Sequence, residues 1–192
     1  KGSFFFIFFL IIFFLISSIE WFQMNKNTIY KYIGSFFLLI SCVSAFYIRG
    51  DTVEELNFFL FIILICVLTD IGGFVFGKIF KGPKLTKISP NKTYSGMIGG
   101  YLLSIILIFV IFSNENYELI KKFRELSEIK FLMLVFLISS ISQVGDLIIS
   151  YFKRKSKIKN TGKIIPGHGG LLDLVDGIIF AIPFSYVLLK FI

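Results

Sequence analysis

The sequence predicts an all-α, polytopic integral membrane protein with about six transmembrane helices and its working face on the cytoplasmic side. Three observations predict it. Hydrophobic residues make up 56% of the 192 positions, and the mean hydropathy is +0.85. Charged residues make up only 17%, against about 25% in an ordinary soluble domain. The apolar residues fall in continuous runs rather than in alternation, which argues against a membrane β-barrel. A soluble enzyme, a coiled coil and a disordered chain are excluded, because none could hide this much apolar surface.

The first run, 3–19, is rich in Phe and Ile. It is as short as a signal-peptide core, but no small-residue cleavage site follows, so it reads as a membrane helix. The chain begins at Lys1 without Met, which reads as a fragment or a processed product. The next runs are 32–48, 57–79, 95–113, 129–149 and 171–191. Each falls near the range of about 17–25 residues that a spanning helix needs. No internal repeat is visible. The expected organisation is one transmembrane domain over 1–192, with generic helices in 1–56 and the chemistry-bearing part at about 57–192.

Loop charge orients the helices. The segment 20–31 carries Lys26 and Lys31, the next basic loop carries Lys78, Lys81, Lys84, Lys87 and Lys92, and the last carries Lys153, Arg154, Lys155, Lys157, Lys159 and Lys163. The two latter loops contain no acid. They alternate with loops that mix Arg49 with Asp51, Glu54 and Glu55, and Lys121, Lys122, Arg124 and Lys130 with four Glu. The positive-inside rule places the basic loops in the cytoplasm and both chain ends outside. The net charge of +8 then reads as topology and as a surface for membrane lipid head groups, with no nucleic-acid partner implied. Cys42 and Cys66 lie in apolar runs without metal-ligand spacing and read as inert packing residues.

The acids carry the functional signal. Asp70, Asp146, Asp173 and Asp176 lie in or against apolar segments, whereas all the Glu sit in loops or at segment ends. A carboxylate at a helix centre costs about 2.5–3.5 kcal/mol on insertion scales. Asp146 lies about 6 Å from Ser150, and Asp70 about 12 Å from Lys78, at the helical rise. Asp173 and Asp176 share one helix face by their spacing. Three helices therefore bring carboxylates to one cytoplasmic mouth beside two basic loops. Mg²⁺ is typically held by one or two carboxylates plus substrate phosphates, and Lys or Arg hold the remaining oxygens. The group reads as metal-assisted chemistry on phosphates.

Between the basic run and Asp173 lies Pro166-Gly167-His168-Gly169-Gly170. It reads either as an ordinary helix-entry turn or as a backbone cradle for an anion. His168, the sole His, is either structural or a phosphate contact. Ser89-Pro90-Asn91-Lys92-Thr93 is a second polar turn, with donors at Ser89, Lys92 and Thr93. Gly73 and Gly77 form a small-residue pair, and Gly96, Gly99 and Gly100 open the fourth run. These suit close helix packing, within the chain or between two copies in a homodimer. A cation-coupled transporter is the competing class. It would carry its acids near the midplane, often in two repeated halves.

The stretch Ser150 to Asp176 resembles the signature of phosphatidate cytidylyltransferases. The match rests on Ser150, Lys153, Arg154, Lys159, Gly162, Pro166, Gly167, His168, Gly169, Gly170, Asp173 and Asp176. Upstream, Gly145-Asp146-Leu147, Asp70, Gly77-Lys78 and the Ser89 to Thr93 turn are similar to further family features. The resemblance covers about residues 66–180. The chain departs at Asn160, where the family has Asp, at Leu174, where it has Arg, and near Ser95, where it usually has Glu. The resemblance implies transfer of a cytidylyl group from CTP to phosphatidate at the cytoplasmic face of a bacterial inner membrane. A different lipid phosphate is the alternative acceptor. The implied metal ligands are Asp146, Asp173 and Asp176, with Asp70 as a further acid. They would hold Mg²⁺, with a second cation left open. Lys153, Arg154 and Lys159 would hold phosphates. His168, Gly167, Gly169 and Gly170 would line the nucleotide, and Ser89, Lys92 and Thr93 would contact it.

Overall fold

The computed structural model describes residues 2–86, 88–113, 127–165 and 169–189. Its helices are α1 (Gly2–Met24), α2 (Thr28–Arg49), α3 (Val53–Phe80), α4 (Tyr94–Ser113), α5 (Glu128–Lys155), α6 (Leu171–Val175) and α7 (Ile178–Leu188). Among the described residues β-pairing is limited to two isolated bridges, Lys84 with Thr93 and Ile165 with Gly169. Helices α1 to α5 are long and apolar enough to cross a membrane. The chain is an all-α integral membrane protein.

The sixth apolar segment differs from the expected single helix. It is divided at Asp176-Gly177, leaving α7 with 11 residues, about 16 Å at the helical rise and short of a bilayer core. Both linking residues keep right-handed helical dihedrals. The Asp176 side chain accepts from the Gly177 amide at 2.9 Å, which competes with the helical ladder at that point.

Helix ends are set by caps as much as by hydropathy. Asn27 accepts from the Ile29 amide at 2.9 Å and starts α2. Thr52 and Glu55 form a reciprocal capping box that starts α3 before its apolar run begins. Thr93 accepts from the Gly96 amide at 3.1 Å and starts α4.

Packing follows residue size. Helices α3 and α4 meet through glycines. A Cβ on Gly72 would stand 2.5 Å from the Gly99 carbonyl oxygen, and one on Gly96 would stand 2.7 Å from that of Gly73. The small-residue faces are therefore used within the chain. The main core joins Phe61, Ile62 and Ile65 of α3 to Phe131, Val135 and Ile138 of α5. A second core gathers Trp21 and Met24 of α1, Leu38 of α2, Ile149 of α5, Leu172 of α6 and Ile179 of α7. It packs beneath the loop that joins α5 to α6. Outward-facing side chains such as Phe4, Phe5, Phe36 and Phe74 are apolar and exposed, as a lipid-facing belt requires.

Candidate active site

A cavity of about 470 Å³ opens where α3, α4, α5 and α6 meet. Its walls combine Asp70 of α3, Asp146 of α5, and Asp173 and Asp176 around α6. Ser89, Lys92 and Thr93 close one side. The segment before α4 reaches the cavity because it is folded back on itself. The Leu85 amide donates to the Lys92 carbonyl at 2.7 Å, and the Lys92 amide donates to the Ser89 carbonyl at 3.0 Å. The expected tight turn at Ser89-Pro90 is present, and all three of its candidate residues face the cavity.

The cavity acids are poor in donors. Lys92 Nζ pairs with Asp146 Oδ2. Ser150 Oγ donates to Asp146 Oδ1 at 3.4 Å, a long bond. Asp70 and Asp176 line the same cavity as Asp146 and lie close enough to it to interact electrostatically. Carboxylates this close repel unless positive charge lies between them. Among the described residues, no three Asp, Glu, His or Cys side chains are gathered closely enough to enclose a metal ion.

Asp173 sits differently. Its Oδ1 accepts from Lys153 Nζ at 2.8 Å. Its Oδ2 accepts from the Thr161 amide at 2.7 Å and the Gly170 amide at 2.9 Å, and Thr161 Oγ1 stands 3.0 Å away. Gly169 makes this arrangement possible. Its φ is +107°, and a Cβ there would stand 2.7 Å from Asp173 Oδ2. The pairing of Lys153 with Asp173 buries both side chains.

The glycine-rich turn does not offer its described amides to a ligand. Those of Gly169 and Gly170 go to the Ile165 carbonyl and to Asp173. Those of Leu171 and Leu172 go to Glu20 at 2.8 and 2.9 Å. The anions held at this helix start are the chain's own carboxylates. Pro166, Gly167 and His168 lie outside the described residues. Arg154 and Lys159 are exposed and do not line the cavity. Arg154 donates to the Ile158 carbonyl at 3.4 Å.

Two participants were missed by sequence reasoning. Glu20 is 2% exposed, although it stands at the edge of an apolar run in a helix read as generic. Thr161 bridges Glu20 and Asp173, with its hydroxyl 3.0 Å from each. The available signal was a lone acid beside Trp21 within an otherwise apolar helix. Gly162 and Gly170 complete it, because a Cβ on either would collide with Glu20, at 2.6 and 2.5 Å.

The cytidylyltransferase family matches over residues 1–192. The chain is 35% identical over 173 residues to a phosphatidate cytidylyltransferase of Staphylococcus saprophyticus, covering 86% of this chain and 63% of that protein. It is 37% identical over 173 residues to a phosphatidate cytidylyltransferase of Rickettsia felis, covering 85% and 72%. It is 39% identical over 168 residues to that of Rickettsia typhi, again covering 85% and 72%. The chain spans 63% of the length of the staphylococcal relatives it matches.

Proposed function

The chain belongs to the cytidylyltransferase family, and from that premise we infer that it transfers the cytidylyl group of CTP to phosphatidate. An oxygen of the phosphatidate phosphate attacks the α-phosphorus of CTP. The bond from that phosphorus to the bridging oxygen of the β-phosphate breaks. The products are CDP-diacylglycerol and pyrophosphate. The observation that carries this reading is the cavity itself, lined by Asp70, Asp146, Asp176 and Lys92 between helices that are long and apolar enough to cross a membrane.

The chemistry needs little proton transfer. A phosphomonoester has its second pKa at about 6, so the attacking oxygen is already largely ionised at neutral pH. The barrier is mutual repulsion of two anions and their alignment. The donor set suits a hard divalent cation such as Mg²⁺, because Asp146 and Asp176 would offer hard oxygen ligands and substrate phosphates would offer the rest. Bound there, the cation would neutralise phosphate charge. Lys92, released from Asp146, binds phosphate oxygen, and Ser89 offers a hydroxyl donor beside it. Asp173 and Lys153 keep the neighbouring loop in place. The basic segments containing Lys78 to Lys92 and Lys153 to Lys163 face the cytoplasm of a bacterial cell in this reading, where CTP is available.

The test uses purified protein in detergent with labelled CTP, phosphatidate and Mg²⁺. A labelled CDP-lipid that depends on all three is the expected product. Labelled CTP left intact, or product formed only with a different lipid phosphate, would overturn phosphatidate as the acceptor. A Cys at Lys157, placed in a chain with Cys42 and Cys66 replaced, is expected to label only from the cytoplasmic side of sealed cells. Labelling from outside would reverse the orientation.

A further inference from the structure

We propose that Glu20, from the first membrane helix, is a positioning residue that clasps the neck of the α5–α6 loop and so fixes the cavity wall it supports. This rests on the cytidylyl-transfer reading for its kinetic consequence only. Among its described residues the loop is closed by one rung. Ile165 and Gly169 exchange both backbone hydrogen bonds, at 2.8 and 3.0 Å. Below that rung the two ends of the loop come together at Thr161 on one side and Gly170 to Leu172 on the other. No backbone pairing joins these two ends among the bonds of the described residues. Carboxylates join them instead. Asp173 bridges Thr161 to Gly170. Glu20 bridges Thr161 to Leu171 and Leu172, with contacts of 3.0, 2.8 and 2.9 Å.

The two clasps are not equivalent. Asp173 belongs to the segment it holds. Glu20 belongs to a distant helix and ties both ends of the loop to α1. Its burial is costly without partners, and the neck supplies neutral donors for both of its oxygens. The space for it is carved by Gly162 and Gly170. Trp21, the next residue, anchors the same end of α1 by donating from Nε1 to the Tyr30 carbonyl at 2.8 Å. The clasp therefore has a rigid base. Moving it moves Asp173, and with it Leu174 and Asp176 on the cavity wall. Displacements of this kind, about 1 Å at a reacting centre, cost roughly a hundredfold in rate.

The decisive comparison is between Glu20→Gln, Val135→Ala and the parent protein. A Gln at position 20 keeps the shape but presents an amide donor to groups that are themselves donors, so one side of the clasp opens. Two readouts are needed, turnover per folded molecule and the rate of tryptic cleavage at the exposed Lys159 and Lys163. Glu20→Gln is expected to lower kcat by roughly ten- to a hundredfold, with a smaller change in KM for CTP, and to speed loop cleavage severalfold. Val135→Ala, a cavity-forming change in the main core away from the neck, is expected to lower thermal stability with kcat and loop cleavage unchanged. If Glu20→Gln lowers stability alone, leaving turnover per folded molecule and loop cleavage as in the parent, the proposal is overturned. Should Glu20→Gln fail to fold, Thr161→Val decides, since it removes the shared hydroxyl and leaves both carboxylates. The same two effects at smaller size support the clasp, and their absence overturns it. If the parent makes no CDP-lipid, the proposed reaction fails, and loop cleavage alone decides the clasp.

Discussion

Two groups of acids lie side by side at one end of this bundle, and they are treated in opposite ways. At the loop neck, Glu20 and Asp173 are met by Lys153 and by the amides or hydroxyl of Thr161, Gly170, Leu171 and Leu172. In the cavity, Asp70, Asp146 and Asp176 line one space together, and the lysine that faces them there, Lys92, is paired with Asp146. The first group is neutralised from within and holds a loop. The second is left short of positive charge and faces open volume. Under the proposed function the same side chain, three residues apart at Asp173 and Asp176, would serve structure in one place and a ligand in the other. The supply of donors separates them, more than residue type or spacing does.

The largest expected effect breaks the cavity group. Asp176→Asn is expected to cost roughly a hundredfold or more in CDP-lipid formation while leaving thermal stability in detergent equal or higher, because it relieves repulsion with Asp146. Turnover near that of the parent would remove Asp176 from the reacting site. Next comes the neck. Asp173→Asn leaves Lys153 buried without its counter-charge, a change that costs about 3–5 kcal/mol when such a pair is broken. Denaturation in detergent is expected to show that loss, and an unchanged midpoint would mean that the pair holds nothing together.

A smaller effect is expected at Lys92. Lys92→Met frees Asp146 and removes one phosphate donor, so KM for CTP is expected to rise roughly tenfold with a lesser change in kcat. A fall in KM would instead make Lys92 a competitor of the ligand for Asp146.

Much of this was legible in the sequence. The apolar runs at 32–48, 57–79, 95–113 and 129–149 fall within α2 to α5. The four intramembrane Asp meet at one cavity, and the Ser89 to Thr93 turn joins them. Hydropathy and helical rise suffice for that. Donor assignment was not legible, because it depends on which helix lies beside which loop. Glu20 looked like the end of a run until the α5–α6 loop folded onto it. The glycine-rich turn looked like a cradle for an outside anion, but its described amides are spent on the Ile165 carbonyl and Asp173, and the two amides that follow are spent on Glu20. The sixth segment looked like one helix because composition does not register the break at Asp176-Gly177.

The smallest effect concerns two positions between these groups. Asn160 packs against Gly169, and Leu174 is 52% exposed on the cavity wall. Restoring charge with Asn160→Asp and Leu174→Arg is expected to raise kcat/KM for CTP by no more than about tenfold, since both sites are open to solvent screening. Reduced turnover in a stably folded double variant would show that the wall has adapted to its neutral pair.

The division of labour between the two acid groups has one direct test that does not depend on turnover. Thermal unfolding in detergent is followed with and without Mg²⁺ plus CTP, for the parent, Asp176→Asn and Asp173→Asn. A ligand that binds the folded state raises its midpoint. The account predicts a rise for the parent and for folded Asp173→Asn, and none for Asp176→Asn. A rise retained in Asp176→Asn and lost in Asp173→Asn would contradict it, and would place the ligand charge at the loop neck instead.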